Sequence, residues 1–322
     1  MGNHQKKILV TGSSGLIGSQ LRPVLEAMGY STVGMDIRAI DPNEYGDICE
    51  ASALAEKVKS CDGVIHLAAI SRVAEAHRNP KLCLKTNFQA SKTLASLAKQ
   101  AGVKWLIYAS SREVYGHVKS IPVSESDGLN PVNVYGEAKL QSEEAIQALA
   151  DDDFNPSIVR FSNVFGSSND HATRVIPAFM NAAFRGKELS IEGGENTFDF
   201  TFVDEVVKAL SLLVNGLEKQ KRYQPMHFTT GVGTSLSALA DEILTLLDSN
   251  SQMLHSTPRD FDVSTFSGNP DKAFQQLGWV HDARPLRYFL KQYAVRLNML
   301  GNQVPHLRAN INLASGKYGA HP

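Results

Sequence analysis

The chain is poor in cysteine and tryptophan and has no surplus of charge of either sign. Its three cysteines, Cys49, Cys61 and Cys83, are odd in number and fall at no metal-ligand spacing. A disulfide framework is therefore disfavoured, no metal site is expected, and a reducing cytoplasmic setting fits best. The 32 basic and 33 acidic residues leave a net charge of −1, which disfavours a strongly basic surface for nucleic acid. No apolar run reaches the roughly 18 residues of a membrane-spanning helix. No signal-type apolar segment stands before ILVTG, so no membrane association is expected. Lys6 stands where N-myristoylation needs Ser or Thr, so that pattern fails too.

What is present is ordinary in amount. The 322 residues suit one large domain or two, and 43% hydrophobic with 20% charged residues excludes a largely disordered chain. No internal repeat or low-complexity tract interrupts it.

The first half alternates short apolar runs with helical stretches. Strands are predicted at 7–11, 31–36, 63–68, 104–110 and 157–161. Helices are predicted at 15–28, about 80–100 and 133–149. The stretch at 80–100 carries Leu82, Leu84, Phe88, Leu94 and Leu97 at helical spacing. Alternation of this kind makes βαβ units and a parallel sheet covered on both faces. Pro23 inside the first helix should kink or weaken it. The second half reads as helices at 175–184, 204–214 and 235–247 with short strands between them. The last residues, 301–322, read as a loosely held tail.

The first strand runs into TGSSGLIG. Gly12 permits a tight turn, Gly15 lets backbone approach a pyrophosphate, and Gly18 lets the helix pack closely on the strand. Amides at the helix start then hold the anion. Asp36 closes the second strand eighteen residues beyond Gly18. A carboxylate there accepts hydrogen bonds from the ribose hydroxyls and repels a 2′-phosphate, which favours NAD over NADP. Arg38 nearby acts in the opposite sense, because a guanidinium holds phosphate well.

YGEAK places Tyr135 and Lys139 four residues apart, on one face of a helix. A free phenol with a pKa of about 10 is a poor base at neutral pH, and a neighbouring ammonium favours the phenolate. Such a phenolate takes a proton from a substrate hydroxyl while a hydride leaves the same carbon. Ser111, at the end of another strand, is placed to hold the same oxygen.

These motifs, in this order, resemble those of the extended short-chain dehydrogenase/reductases, in the NAD-dependent epimerase/dehydratase branch. The resemblance rests on TGSSGLIG, Asp36, GDI at 46–48, HLAA at 66–69, Asn87, SSREVYG, YGEAK and RFSNVFG. It continues in VIPAF, ENTFDFTFVDEVVKAL and PRDFDVSTFSGNPDKAFQQLGW. It implies a Rossmann-type doubly wound parallel sheet with a smaller α/β substrate-binding lobe. The expected division is a cofactor-binding unit over 1–166, completed by parts of 200–232, and a lobe over 167–300.

The resemblance also implies roles. Gly12, Gly15, Leu16, Ile17 and Gly18 would meet the pyrophosphate, with Asp36 on the ribose. Asp47 and Ile48 would flank the adenine. Leu67, Ala68 and Ala69 would line the cofactor groove, supported by Asn87. Ser111, Tyr135 and Lys139 would be the catalytic trio, with Lys139 also on the nicotinamide ribose. Asn163 and Arg259 would contact the sugar diphosphate, with Asp262 beside Arg259. A homodimer through the stretches 85–100 and 137–149 is implied as well.

Three departures stand out. Phe198 occupies the place of a usual phosphate-binding arginine, so diphosphate binding must lean on Arg259 or another base such as Arg174. Arg112 replaces the first acid of the Asp-Glu pair that dehydratases use, which argues against dehydration, because arginine donates no proton at neutral pH. Glu113 remains, compatible with decarboxylase-like or epimerase-like chemistry or with a plain backbone contact. Arg72, after HLAAIS, either reads a carboxylate or a ring substituent or is simply solvated.

The reading that follows is an NAD-dependent nucleotide-sugar 4-epimerase, with Ser111, Tyr135, Lys139 and Glu113 as candidate catalytic residues. Arg72, Ser111, Arg112, Asn163 and Arg259 are the candidate substrate contacts. A decarboxylase or 4,6-dehydratase, a simple dehydrogenase or ketoreductase, and an inactive nucleotide-binding scaffold are the alternatives.

Overall fold

A computed structural model describes residues 5–300; the tail expected over 301–322 lies outside the described residues. The chain forms β1 (Lys7–Thr11), α1 (Gly18–Ala27), β2 (Ser31–Met35), α2 (Ala51–Val58), β3 (Gly63–His66), α3 (Val73–Arg78), α4 (Pro80–Cys83) and α5 (Ala90–Gln100). Then come β4 (Trp105–Ser111), α6 (Val134–Gln147), β5 (Asn155–Phe161), β6 (Asn163–Phe165), α7 (Val175–Phe184), β7 (Leu189–Glu192), β8 (Thr197–Phe202) and α8 (Val203–Glu218). The last elements are β9 (Met226–Phe228), β10 (Gly233–Ser235), α9 (Leu236–Leu247), β11 (Met253–Ser256), β12 (Thr265–Phe266), α10 (Asp271–Leu277) and α11 (Leu286–Arg296).

Ile8, Leu9 and Val10 in β1 are all fully buried, without alternation. A strand reads this way when both faces of its sheet are covered. The sheet is six-stranded and parallel throughout, in the order β2-β1-β3-β4-β5-β9. Side chains of α1, α8 and α10 cover one face, and those of α2, α5 and α6 the other. The order reverses between β1 and β3. The carboxyl ends of the strands open a crevice there, which is where such sheets take ligands.

A smaller layer stands over that crevice. β8 pairs with β10 and β12 along its first half and with β6 along its second. β7 and β11 form a two-stranded parallel pair. Phe165, Phe179, Phe198, Phe202, Leu239 and Leu290 belong to a separate apolar cluster. That cluster joins α7, α9 and α11 to these strands.

Three local readings need correction. α1 begins at Gly18 instead of 15, because the preceding residues are spent on the glycine turn. Pro23 does not break α1; it sits on the exposed side and the helix continues to Ala27. The stretch at 80–100 is not one regular helix. A π turn over Leu84–Gln89 separates α4 from α5. Within it the Asn87 carbonyl accepts hydrogen bonds from the Ser91 and Ser142 hydroxyls, and π turns of this sort often mark functional positions.

Candidate functional site

The glycine turn sits at the mouth of the crevice. Gly12 has a φ of +71°, and a Cβ there would lie 2.8 Å from the Ala68 amide nitrogen. Only glycine meets both demands without strain. A Cβ on Gly18 would lie 2.3 Å from the Gly12 carbonyl oxygen, so the start of α1 rests directly on the turn. Leu16 and Ile17 pack against the core, which fixes the helix entry. The Ser13 hydroxyl is buried in this turn without a protein partner. A close-packed turn, a helix start and an unmet hydroxyl together fit a dinucleotide pyrophosphate.

Asp36 stands just beyond β2 and is buried. Its carboxylate accepts the Ser14 amide at 3.0 Å and the Arg38 amide at 2.8 Å. The Arg38 guanidinium lies 3.7 Å away and also reaches the Ser14 carbonyl. Arg38 is therefore committed to Asp36, and lone pairs of the carboxylate remain for hydroxyls.

Leu67, Ala68 and Ala69 follow β3 along the crevice, partly buried. Asn87 accepts the Ile70 amide at 2.8 Å and donates to its carbonyl at 2.9 Å, which pins the end of that segment. Asp47 is exposed and accepts the Cys49 amide, whereas the Ile48 side chain is buried in the core.

Beneath this segment lies a buried relay with no prominent sequence signal. Thr11 Oγ1 is 2.7 Å from His66 Nδ1, and His66 Nε2 is 2.8 Å from Ser91 Oγ. The Ser91 hydroxyl donates to the Asn87 carbonyl, so it accepts from a protonated Nε2. Nδ1 then accepts from Thr11. Burial pushes His66 down to about 3, so the ring is neutral.

β4 ends at Ser111, and α6 carries Tyr135 and Lys139 beside it. Asn133 starts α6 by accepting the Gly136 amide at 2.9 Å, a standard cap. Tyr135 lines the cleft with Ser111. Lys139 lies buried behind it. Its Nζ donates to the Ala109 carbonyl at 2.7 Å and stands 4.9 Å from the Tyr108 ring centre. The expected depression of the Tyr135 phenol by this lysine is absent. Burial pushes the phenol up to about 12, and the Ser111 hydroxyl is the foremost influence working against that rise. Burial also pushes Lys139 down to about 8.

The cleft has a volume of about 440 Å³. Of the residues expected to touch substrate, it brings together Arg72, Ser111, Arg112, Asn163 and Arg259, and it includes Glu113, Arg174 and Asp262. Arg259 pairs with Asp262 at 2.7 Å and with Glu192 at 3.3 Å. Arg174 pairs with Asp170 at 3.4 Å, and Arg72 bonds Thr173 and pairs with Glu75. Arg78 also lines the cleft, and no motif announced it.

Glu113 is the best-held acid of the cleft. Arg112 Nη2 is 3.0 Å from its Oε1, and Asn133 donates to its Oε2 at 2.9 Å. The Arg112 guanidinium lies over the Phe198 ring, 4.2 Å from its centre. Two apparently separate departures from the family pattern are thus one contact. In the sequence Asn133, one residue before α6, carries only the signal of a helix cap.

Among the described residues no group of three or more His, Cys, Asp or Glu side chains could hold a metal, and no helix is long and apolar enough to cross a membrane.

Residues 8–227 match the NAD dependent epimerase/dehydratase family. The chain is 28% identical over 303 residues to a UDP-glucose 4-epimerase of Lactobacillus helveticus, covering 85% of this chain and 91% of that one. It is similar in fold to the UDP-glucose 4-epimerase of Thermotoga maritima with UDP-glucose, with a TM-score of 0.83, 28% identity, and 91% and 98% of the two chains covered. It is likewise similar to MoeE5 in complex with UDP-glucose and NAD, with a TM-score of 0.84, 28% identity and the same coverage.

Proposed function

Because the chain belongs to the NAD dependent epimerase/dehydratase family and is an enzyme with NAD as its cofactor, we propose that it is a nucleotide-sugar 4-epimerase acting through a transient 4-keto sugar. The observation that carries this reading is the state of Glu113. Both carboxylate oxygens are held, one by Arg112 and one by Asn133. An acid fixed in that way is poorly placed to exchange protons with substrate. What remains at the reaction end is the Ser111, Tyr135 and Lys139 set, which suits reversible oxidation at one carbon.

The Gly12–Gly18 turn and Asp36 would hold the dinucleotide, which would supply a reversible hydride acceptor at the reacting carbon. Tyr135 Oη receives the proton of the C4 hydroxyl and later gives it back. Ser111 Oγ holds the oxygen at that carbon throughout. Lys139 stands behind the phenol as a cation fixed by the Ala109 carbonyl. Its positive charge favours the phenolate when the substrate proton arrives, in opposition to burial. The keto sugar must turn over between the two hydride transfers, and a cleft of this size leaves room for that. Arg259, Arg174 and Asn163 are proposed to hold the sugar diphosphate.

The UDP-glucose 4-epimerases among the relatives support this substrate class. We also propose a cytoplasmic homodimer, supported by the free thiols of Cys49, Cys61 and Cys83 and by the side-by-side packing of α5 on α6. The division into a cofactor unit over 1–166 with parts of 200–232 and a lobe over 167–300 is likewise a proposal. It is supported by the entry of β9 into the large sheet. The test of the activity is incubation of the purified protein with UDP-glucose, UDP-N-acetylglucosamine and the UDP-uronates. Conversion of one of them to its C4 epimer is expected, and stoichiometric NADH without epimer would overturn the reading.

A further inference from the structure

We propose that Arg112 determines specificity by receiving a carboxylate carried on the sugar ring, so that the preferred substrate is a nucleotide uronate. The proposal rests on the epimerase reading of the same cleft and names its substrate class.

Arg112 follows Ser111 directly, at the start of a short 3₁₀ turn over Arg112–Tyr115. Both side chains line the cleft with Tyr135. With Ser111 proposed on the oxygen of the reacting carbon, Arg112 in the same cleft is taken to meet another substituent of that ring. The Arg112 side chain is only 11% exposed, and its guanidinium is held on two sides, by the face of Phe198 and by Glu113. Its Nη1 is buried and has no acceptor in the protein. A buried charged donor left unmet is costly. The protein has therefore built a rigid cation with one N–H group waiting for an acceptor.

Glu113 offers Arg112 one oxygen and is tied to Asn133 by the other, so it does not swing to meet Nη1. The acceptor must then come from the substrate, and a carboxylate meets a guanidinium more strongly than a neutral hydroxyl does. Phe198 strengthens the contact, since an aromatic face in place of water leaves the guanidinium less screened.

The test is calorimetric binding to the NAD-loaded Tyr135→Phe protein, which holds substrate without turning it over. UDP-glucuronate, UDP-glucose and UDP alone are compared. UDP-glucuronate should bind about 10- to 100-fold more tightly than UDP-glucose. Arg112→Met should bring that ratio near one by weakening the uronate alone, and Arg112→Lys should keep part of it. Equal affinities in the parent, or a ratio unchanged in Arg112→Met, would overturn the proposal. Equal weakening of all three ligands would also overturn it, by assigning Arg112 to the diphosphate. The parent ratio decides even where a variant does not fold. With Tyr135 intact, loss of C4 interconversion beside an Arg112-dependent ratio removes only the epimerase reading. Interconversion beside an Arg112-independent ratio removes only the uronate.

Discussion

The Lys139 ammonium nitrogen stands 5.9 Å from the centre of the Tyr135 ring and gives its hydrogen bond to the Ala109 carbonyl. The two residues share a helix face, as their spacing requires. Yet burial governs both protonation equilibria: the phenol is pushed up to about 12 and the ammonium down to about 8. The protein alone therefore holds the base in its protonated form. Substrate and cofactor binding must bring the phenol into range.

Tyr135→Phe removes the proton acceptor and little else. kcat should fall by about 10²- to 10⁴-fold, while the circular dichroism spectrum and NAD content stay at wild-type levels. Turnover that survives the change would assign the base elsewhere.

Lys139→Met removes the cation behind the phenol. kcat should fall, because no ammonium then stands behind the phenol during proton transfer. The variant should also lose one pH dependence of stability. In the wild type the folded lysine releases its proton near 8, whereas the unfolded one holds it to about 10.5. Between those values the unfolded chain binds more protons, so this group makes stability rise with pH. Urea midpoints at pH 8 and 9.5 should therefore rise more in wild type than in Lys139→Met.

His66 and His227 are both pushed down to about 3 by burial. Their contribution is fully present above the ordinary value of 6.5 and is lost as pH falls from there toward 3. Each adds roughly 1.4 kcal/mol of lost stability per pH unit inside that window. His227→Gln also breaks the 2.7 Å contact with Tyr115 at every pH. Its distinguishing effect is a shallower fall in unfolding free energy from pH 6 to 5, read by urea titration. An unchanged slope would contradict the assignment.

Gly18→Ala drives a methyl group to 2.3 Å from the Gly12 carbonyl oxygen, so the turn must shift. NAD affinity should drop by at least about tenfold, with a lower Tm, consistent with overpacking costs of about 1–3 kcal/mol. Gly128→Ala meets nothing within 4 Å and should be silent in both readings.

Much of this arrangement is legible in the sequence because its signals are local. The unbroken Ile8–Leu9–Val10 run announces a strand buried on both faces, and the glycines at 12, 15 and 18 announce the turn that follows. The Tyr135–Lys139 spacing gives a shared helix face. Other features depend on residues far apart in the chain. The Arg112–Phe198 stack joins two strand ends in different layers, so each residue alone reads as a loss. The π turn at 84–89 is set by what Asn87 bonds in the 66–70 segment and in α6, and no helical periodicity encodes those partners. The protonation of Tyr135 is decided by burial, which residue spacing does not reveal.

The most direct test of the proposed chemistry is NMR on a nucleotide sugar carrying deuterium at C4. After incubation with the NAD-loaded protein, a C4 epimer that keeps its deuterium at C4 is expected, with no accumulation of NADH. A product that has lost the C4 deuterium to NADH, or that has lost water or carbon dioxide, would contradict that chemistry.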